Sequence, residues 1–330
     1  MTRELLFIGG SGAISAACVR HAIALGDHVT VVNRGRSQLR PLPPETEVLT
    51  ADIREPESVR AVLGDREFDS VVDFFAFLPE HVETDADLFG GRTGQYVFIS
   101  SASAYQTPPQ QLPVTEDTPL DNPFWEYSRD KIACEQRVAE LSTSRGDLPY
   151  TIVRPSHTYD ETSIPFDGGW TVVDRMRRGL PVVVHGDGTS LWTITHTDDF
   201  AVGFVGLLGH PGALGQAIHI TNSAPVTWDH IYRSIAAAAG VSDPELVHIA
   251  SETLARMEPE WGPRLVGDVS HSMIFDNSRV SALVPAFAPN ISYAEGARQI
   301  VAWYDAHPDQ QEIDPAVNDT VDAMVAWARR

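Results

Sequence analysis

An α/β fold built on a doubly wound parallel sheet, with a smaller C-terminal α/β region set against it, is what this sequence predicts. Three features lead there. Short, nearly continuous apolar runs alternate with helical patterns through the first half of the chain, the pattern of parallel strands covered on both faces. The first run ends in Gly9-Gly10-Ser11-Gly12-Ala13-Ile14-Ser15 and opens into a helix, the context in which a glycine-rich turn cradles a dinucleotide. After about residue 156, Pro and Gly punctuate a looser pattern, as in IPFDGGW, GLPVVVHGDG and HPGALG.

The elements follow in order. LLFIG (5–9) is the first strand, and a helical stretch runs from the turn to Gly26. HVTVVN (28–33) is the second strand, and EVLTADI (47–53) the third, ahead of a helix over 55–63. SVVDFF (70–75) and QYVFIS (95–100) are further strands, and YTIVRP (150–155) follows the helical run FWEYSRDKIACEQRV. Later helices are expected over 227–239, 295–306 and 319–329. The expected division is a dinucleotide-binding domain over 1–159, re-entered around 191–222, and a substrate-binding domain over 160–330. Asp73 stands inside an apolar strand. Burying a lone carboxylate is costly, so it is expected to have a partner or to lie at the strand's end.

Composition excludes several function classes. The chain has 330 residues and is 43% hydrophobic, enough for a full core. Its 24 Lys+Arg against 45 Asp+Glu give a net charge of -21, which repels polyanions and argues against nucleic acid and anionic membrane as partners. Cys18 and Cys134 lie in no CxxC or Cys/His cluster, so neither a disulfide framework nor a metal site is expected. The start MTRELLFIGG has no signal-peptide pattern, and VVDFFAFL and AVGFVGLL are too short to span a bilayer. A soluble, cytoplasmic protein is the expectation.

In the glycine-rich turn, Gly9 permits the tight bend and Gly12 lets backbone approach a pyrophosphate at the helix N-terminus, while Ser15 stands in for a third glycine. The second strand ends at Asn33-Arg34-Gly35-Arg36. An acid there would hold the ribose 2′-hydroxyl of NAD, and an arginine suits the 2′-phosphate of NADP. Asn33 can bond a hydroxyl, Arg34 can pair with phosphate or stack on adenine, and Arg36 joins them or stays a surface charge. Both cofactors remain open. Asp52 and Ile53 are placed to meet the adenine, with a helix N-cap role the alternative for Asp52. Tyr127 and Lys131, one helical turn apart, share a face. An ammonium beside a phenol favours the phenolate, moving a group of pKa ~10 toward the working pH, where it exchanges protons.

GGSGAIS, ADIR, YVFISSASAY, YSRDK, IVRPSHTY and HGDGTSLWTITHTDD occur in the order found in extended short-chain dehydrogenases/reductases. More narrowly, the chain resembles the NAD-dependent epimerase/dehydratase family from residue 3 to about 240. The resemblance implies a Rossmann-type sheet, bound NAD (favoured) or NADP, and a catalytic group of Ser101, Tyr127 and Lys131, with Ser103 the runner-up serine. It implies that Phe75 and Ala76 line the nicotinamide ribose, that Ser100 joins the cofactor contacts, and that Pro155 and Ser156 pass the carboxamide. His157 is not a usual family residue and reads as a substrate contact, an auxiliary acid/base or a structural histidine.

Sugar-nucleotide epimerases carry a phosphate-binding arginine where this chain has Trp192. A tryptophan offers a stacking plate and one N–H, and cannot neutralise a diphosphate. Unless Arg175, Arg177 or Arg178 supplies the charge, the substrate is a nucleoside or glycoside rather than a nucleoside-diphosphate sugar. Trp170 is a second pocket candidate, with ordinary packing its alternative, and Asp198 and Asp199 read as caps of a helix from Phe200. The activity implied is oxidation of a secondary hydroxyl on a sugar-like small molecule. The reading taken is an epimerase, which re-reduces the ketone from the opposite face; the alternatives are a dehydrogenase or ketoreductase of a sugar or ring alcohol, which releases it, and a sugar-nucleotide epimerase/dehydratase. A cofactor-sensing or RNA-associated role is opposed by the retained Tyr127 and Lys131 and by the charge. A homodimer is a further implication of the resemblance.

Overall fold

The computed structural model describes residues 2–36 and 39–330. Its centre is a seven-stranded, wholly parallel sheet of β1 (Glu4–Ile8), β2 (His28–Asn33), β3 (Glu47–Thr50), β4 (Ser70–Asp73), β5 (Tyr96–Ile99), β6 (Tyr150–Pro155) and a late strand, Ala217–Ile220. Spatial order runs 3-2-1-4-5-6 and ends on the late strand. The direction of winding reverses between β1 and β4, and this switch point opens the crevice at the strands' C-terminal ends.

Period-two alternation sorts the apolar side chains. Leu5, Phe7, Val31 and Val97 face one layer, where Ala17, Val19 and Ala22 of α1 (Ala13–Ala24) pack with Phe200 and Phe204 of the helix Thr197–Leu207. Leu6, Ile8, Val32, Val71 and Phe98 face the other, against Val59 of α2 (Pro56–Leu63), Val82 of α3 (Pro79–Phe89) and Cys134 and Val138 of α4 (Glu126–Arg145). A third cluster, rich in Trp and Tyr, gathers around three small two-stranded ladders after residue 156. Cys18 and Cys134 are buried free thiols. Among the described residues, no helix is long and apolar enough to cross a membrane and no group of His, Cys, Asp or Glu has metal-binding form.

Asp73 is the last residue of β4 and fully buried. One of its oxygens accepts from the Phe75 N–H at 2.5 Å. Across from it, burial and the Asp73 charge hold the Asp85 carboxyl well above the usual range, while Asp85 accepts from the Tyr96 hydroxyl at 2.6 Å. The carboxylate thus lies at the strand's end, as the sequence suggests, with one oxygen bonded to backbone and Oδ2 without a donor among the described residues.

Candidate active site

Two cavities open along the C-terminal edge of the sheet. One, of about 280 Å³, is walled by Gly9, Ser11, Asn33, Arg34, Arg36, Asp52, Ile53, Arg54 and Phe75 among others. Gly9 takes φ +91, and a Cβ on it would sit 1.9 Å from the Phe75 ring, so no other residue fits there. Gly10 backs onto Val31 in the same way. Ser15, predicted only as a small packing residue, closes the loop. Its Oγ donates to the Gly9 carbonyl at 2.6 Å and accepts from the Gly12 N–H at 2.9 Å. Gly10, Gly12, Ala13 and Ile14 form the turn and helix start without lining the cavity wall.

At the end of β2, the Asn33 side-chain oxygen accepts from the Gly35 N–H at 2.8 Å. Arg34 stands 3.8 Å from the Asp52 carboxylate, and Arg54 donates to the Phe75 carbonyl. The cradle fits a dinucleotide: a positive-φ glycine turn at a helix N-terminus, cationic side chains around the ribose end, and a buried Ser100 hydroxyl without a protein partner. Gly9, Ser11, Asn33, Arg34, Asp52 and Phe75 are the residues that would hold it, with nicotinamide supplying hydride chemistry.

The second cavity, of about 410 Å³, collects Ser101, Ser103, Tyr127, Pro155, Ser156, His157 and Trp192 from separate segments of the chain. Ser101 and Ser103 hydroxyls lie 2.9 Å apart, and Ser128 donates to Ser103 at 2.8 Å. Ser156 donates to the Thr193 carbonyl at 2.6 Å, which commits its hydroxyl to the loop before Ile194. Burial drives the His157 pKa down to about 3, with Arg264 adding to the shift, so the imidazole is neutral.

Lys131 is buried and lines neither cavity. Its Nζ donates to the Ala76 carbonyl at 2.7 Å and the Ile99 carbonyl at 2.8 Å, and stands 5.8 Å from the centre of the Tyr127 ring. Burial lowers its pKa to about 8. The expected acidification of Tyr127 is not what these surroundings produce. Burial pushes the phenol up to about 12, the Ser101 hydroxyl pulls the other way, and the Asp268 charge adds to the rise. The ammonium is spent on two carbonyls rather than on the phenol, and desolvation wins.

Other sequence expectations are corrected. Trp170 is absent from the cavity wall. It stacks on Tyr304 at 4.7 Å and carries Arg177 over its face at 5.1 Å, so it belongs to the third core. The helix Thr197–Leu207 is capped by His196, whose ring accepts from the Asp198 N–H. Asp199 instead binds the backbone N–H groups of Asn290 and Ile291 at 3.1 and 2.9 Å. Arg175 pairs with Asp322, Arg177 with Asp305 and Arg178 with Asp174, all away from the cavity.

The sequence reading missed Asn122, Arg264 and Asp268. Buried Asn122 donates to the Ser103 carbonyl at 2.8 Å and the Gly267 carbonyl at 2.6 Å. Gly267 and Asp268 belong to a π-helical turn, Leu265–Val269, a wound form common at functional sites. Arg264 pairs with Asp167 at 2.5 Å, and Arg264, Asp167 and Asp268 all line the second cavity. The PRLVGDVS stretch carries no periodic signal that would have singled them out.

The sequence profile of the NAD dependent epimerase/dehydratase family matches residues 5–221. The chain belongs to that family. It is therefore a nicotinamide-dependent enzyme of the short-chain dehydrogenase/reductase type. The 2'-dehydrokanamycin reductase of Streptomyces kanamyceticus is 28% identical over 72% of this chain and 67% of its own length. The chloroplast stem-loop binding protein of 41 kDa b of Arabidopsis thaliana is 27% identical over 74% of this chain and 66% of its own. A dTDP-glucose 4,6-dehydratase from Bacillus anthracis, solved with NAD, superposes with a TM-score of 0.74 at 17% identity, covering 93% of this chain and 98% of that one, and so shares the fold.

Proposed function

We propose that this enzyme is an NADP-dependent reductase of a ketone on a sugar-like glycoside, reversible toward the secondary alcohol. The observation that carries the reading is one cavity walled by both Ser101 and Tyr127, with Lys131 seated on the strand-end carbonyls beside it. Tyr127 gives its phenolic proton to the ketone oxygen in reduction and takes it from the alcohol in oxidation. Ser101, tied to Ser103, orients that oxygen. Lys131, donating to the Ala76 and Ile99 carbonyls, holds the two strand ends that flank the phenol.

Three arginines line the dinucleotide cavity, Arg34 beside Asp52, Arg54 on the Phe75 carbonyl, and Arg36, while the Asn33 oxygen is already engaged by Gly35. That set favours a 2′-phosphate over a bare 2′-hydroxyl. Trp192 in the substrate cavity, with Arg175, Arg177 and Arg178 bound to acids elsewhere, favours a glycoside over a nucleoside diphosphate. The relative from Streptomyces kanamyceticus is by name a reductase. Tyr127→Phe tests the reading: NADPH consumption with keto-glycosides falls by about 100-fold or more while NADPH binding is unchanged. Unaltered turnover would reject it.

Net-neutral epimerisation is the second reading, favoured by the family match. Protein purified with stoichiometric, non-exchanging cofactor, and no net NADPH consumption, would select it.

A further inference from the structure

The substrate cavity is built for a cation. Arg264 is the one Lys or Arg among the described residues of its wall, and it is bound to Asp167 at 2.5 Å. Asp268 lines the same wall with no hydrogen-bond donor and no ion-pair partner among the described residues. His157 stays neutral and adds no positive charge. Trp192 is 1% exposed, and its indole N–H has no acceptor in the protein. Arg264 draws the Asp268 carboxyl downward against burial but is hydrogen-bonded to Asp167, so the wall holds two carboxylates for one guanidinium, and a half-buried carboxylate in excess of its countercharge is unfavourable unless a ligand supplies one.

We propose that the substrate carries an ammonium group that pairs with Asp268, so that the enzyme acts on amino-substituted glycosides. This rests on the hydride-transfer reading of the same cavity. The anionic Asp268 also opposes ionisation of Tyr127, and burial already holds its own carboxyl up at about 7. A substrate ammonium at Asp268 neutralises the charge that opposes the phenolate. Recognition of the amine therefore assists the proton transfer, and loss of the amine lowers kcat as well as raising KM.

The test compares methyl glucosaminide, its N-acetyl derivative and UDP-glucose, which differ in charge, by calorimetric binding to the NADP-loaded enzyme. The glucosaminide is expected to bind at least about 10-fold more tightly than the N-acetyl derivative, with UDP-glucose weakest. Asp268→Asn is expected to erase that preference, the two glycosides then binding within about 2-fold of each other. Equal binding of the two glycosides, tightest binding of UDP-glucose, absence of glucosaminide binding, or a preference that survives Asp268→Asn would each overturn the proposal. Should Asp268→Asn fail to fold, the salt dependence of wild-type binding decides. Glucosaminide affinity weakens with added salt if an ion pair forms and is flat if none does. If the binding pattern holds but keto-aminoglycosides consume no NADPH, the hydride-transfer reading fails and the charge assignment stands. If neutral keto-glycosides turn over without amine preference, the reverse holds.

Discussion

Lys131 is the single lysine of the 330-residue chain, so its protonation can be read directly. Buried between the Phe77 and Phe98 rings, it has its pKa lowered from 10.5 to about 8. That gap corresponds to about 3 kcal/mol at ~1.4 kcal/mol per unit. The unfolded chain keeps this proton up to pH 10.5, whereas the folded chain gives it up near 8. Between those values the unfolded state binds more protons, so stability rises with pH and is lost as pH falls through 8. Lys131→Met removes the titration. It also leaves the Ala76 and Ile99 carbonyls without a donor, at about 1–3 kcal/mol each, independent of pH. The difference in unfolding free energy, wild type minus Lys131→Met, is therefore expected to climb by about 3 kcal/mol between pH 8 and 10.5. Urea denaturation at stepped pH measures it, and taking the difference cancels the tyrosine and cysteine titrations common to both proteins. Independently, lysine labelled with ¹³C at Cε gives one side-chain resonance, expected to titrate near pH 8. A midpoint near 10.5, or a flat difference curve, refutes the burial argument.

Gly9→Ala is expected to weaken dinucleotide binding and to destabilise the fold by about 2 kcal/mol or more, because φ is +91 and the new Cβ meets Phe75. Adding Phe75→Ala is expected to recover the clash but not the backbone strain, so full rescue in a thermal-unfolding cycle would contradict it. Arg34→Ala combined with Arg36→Ala is expected to cut affinity for NADPH by about 10-fold or more, and for NADH little; equal losses in fluorescence titrations would remove the 2′-phosphate assignment. Asn122→Ala strips donors from the Ser103 and Gly267 carbonyls. It is expected to cost about 2–4 kcal/mol in denaturant melts and to lower kcat; a change under 1 kcal/mol, to order of magnitude, would mean water substitutes freely.

What could be read from the sequence was what is local. Strands such as LLFI and SVVD are short apolar runs, and the Tyr127–Lys131 spacing is a helical repeat, so their form follows from neighbours in the chain. In the second half some helices were readable by the same means, as with Trp228–Ala238, whereas the helix Gly169–Arg177 and the strands Val182–His185, Ala217–Ile220 and Leu246–Ile249 were not among the expected elements. The partners of Lys131 were not, because two carbonyls from separate strand ends reach it only after the sheet assembles. Asp268 and Arg264 come from a stretch without hydrophobic period, delivered to the cavity by the chain's long-range path. Trp170 misled for a simple reason: an aromatic residue beside glycines looks the same whether its ring faces a ligand or, as here, Tyr304.

The Asn122 amide grips the loop of Ser101 and Ser103 with one hydrogen and the acid-bearing turn with the other. Those two regions are thereby geared together. On the proposed role of Asp268, a sequence drifting toward a new substrate reshapes its turn, and through Asn122 that change reaches the Ser101 loop. Selectivity and rate in this scaffold should consequently evolve as one trait, with position 122 the place where they can be uncoupled.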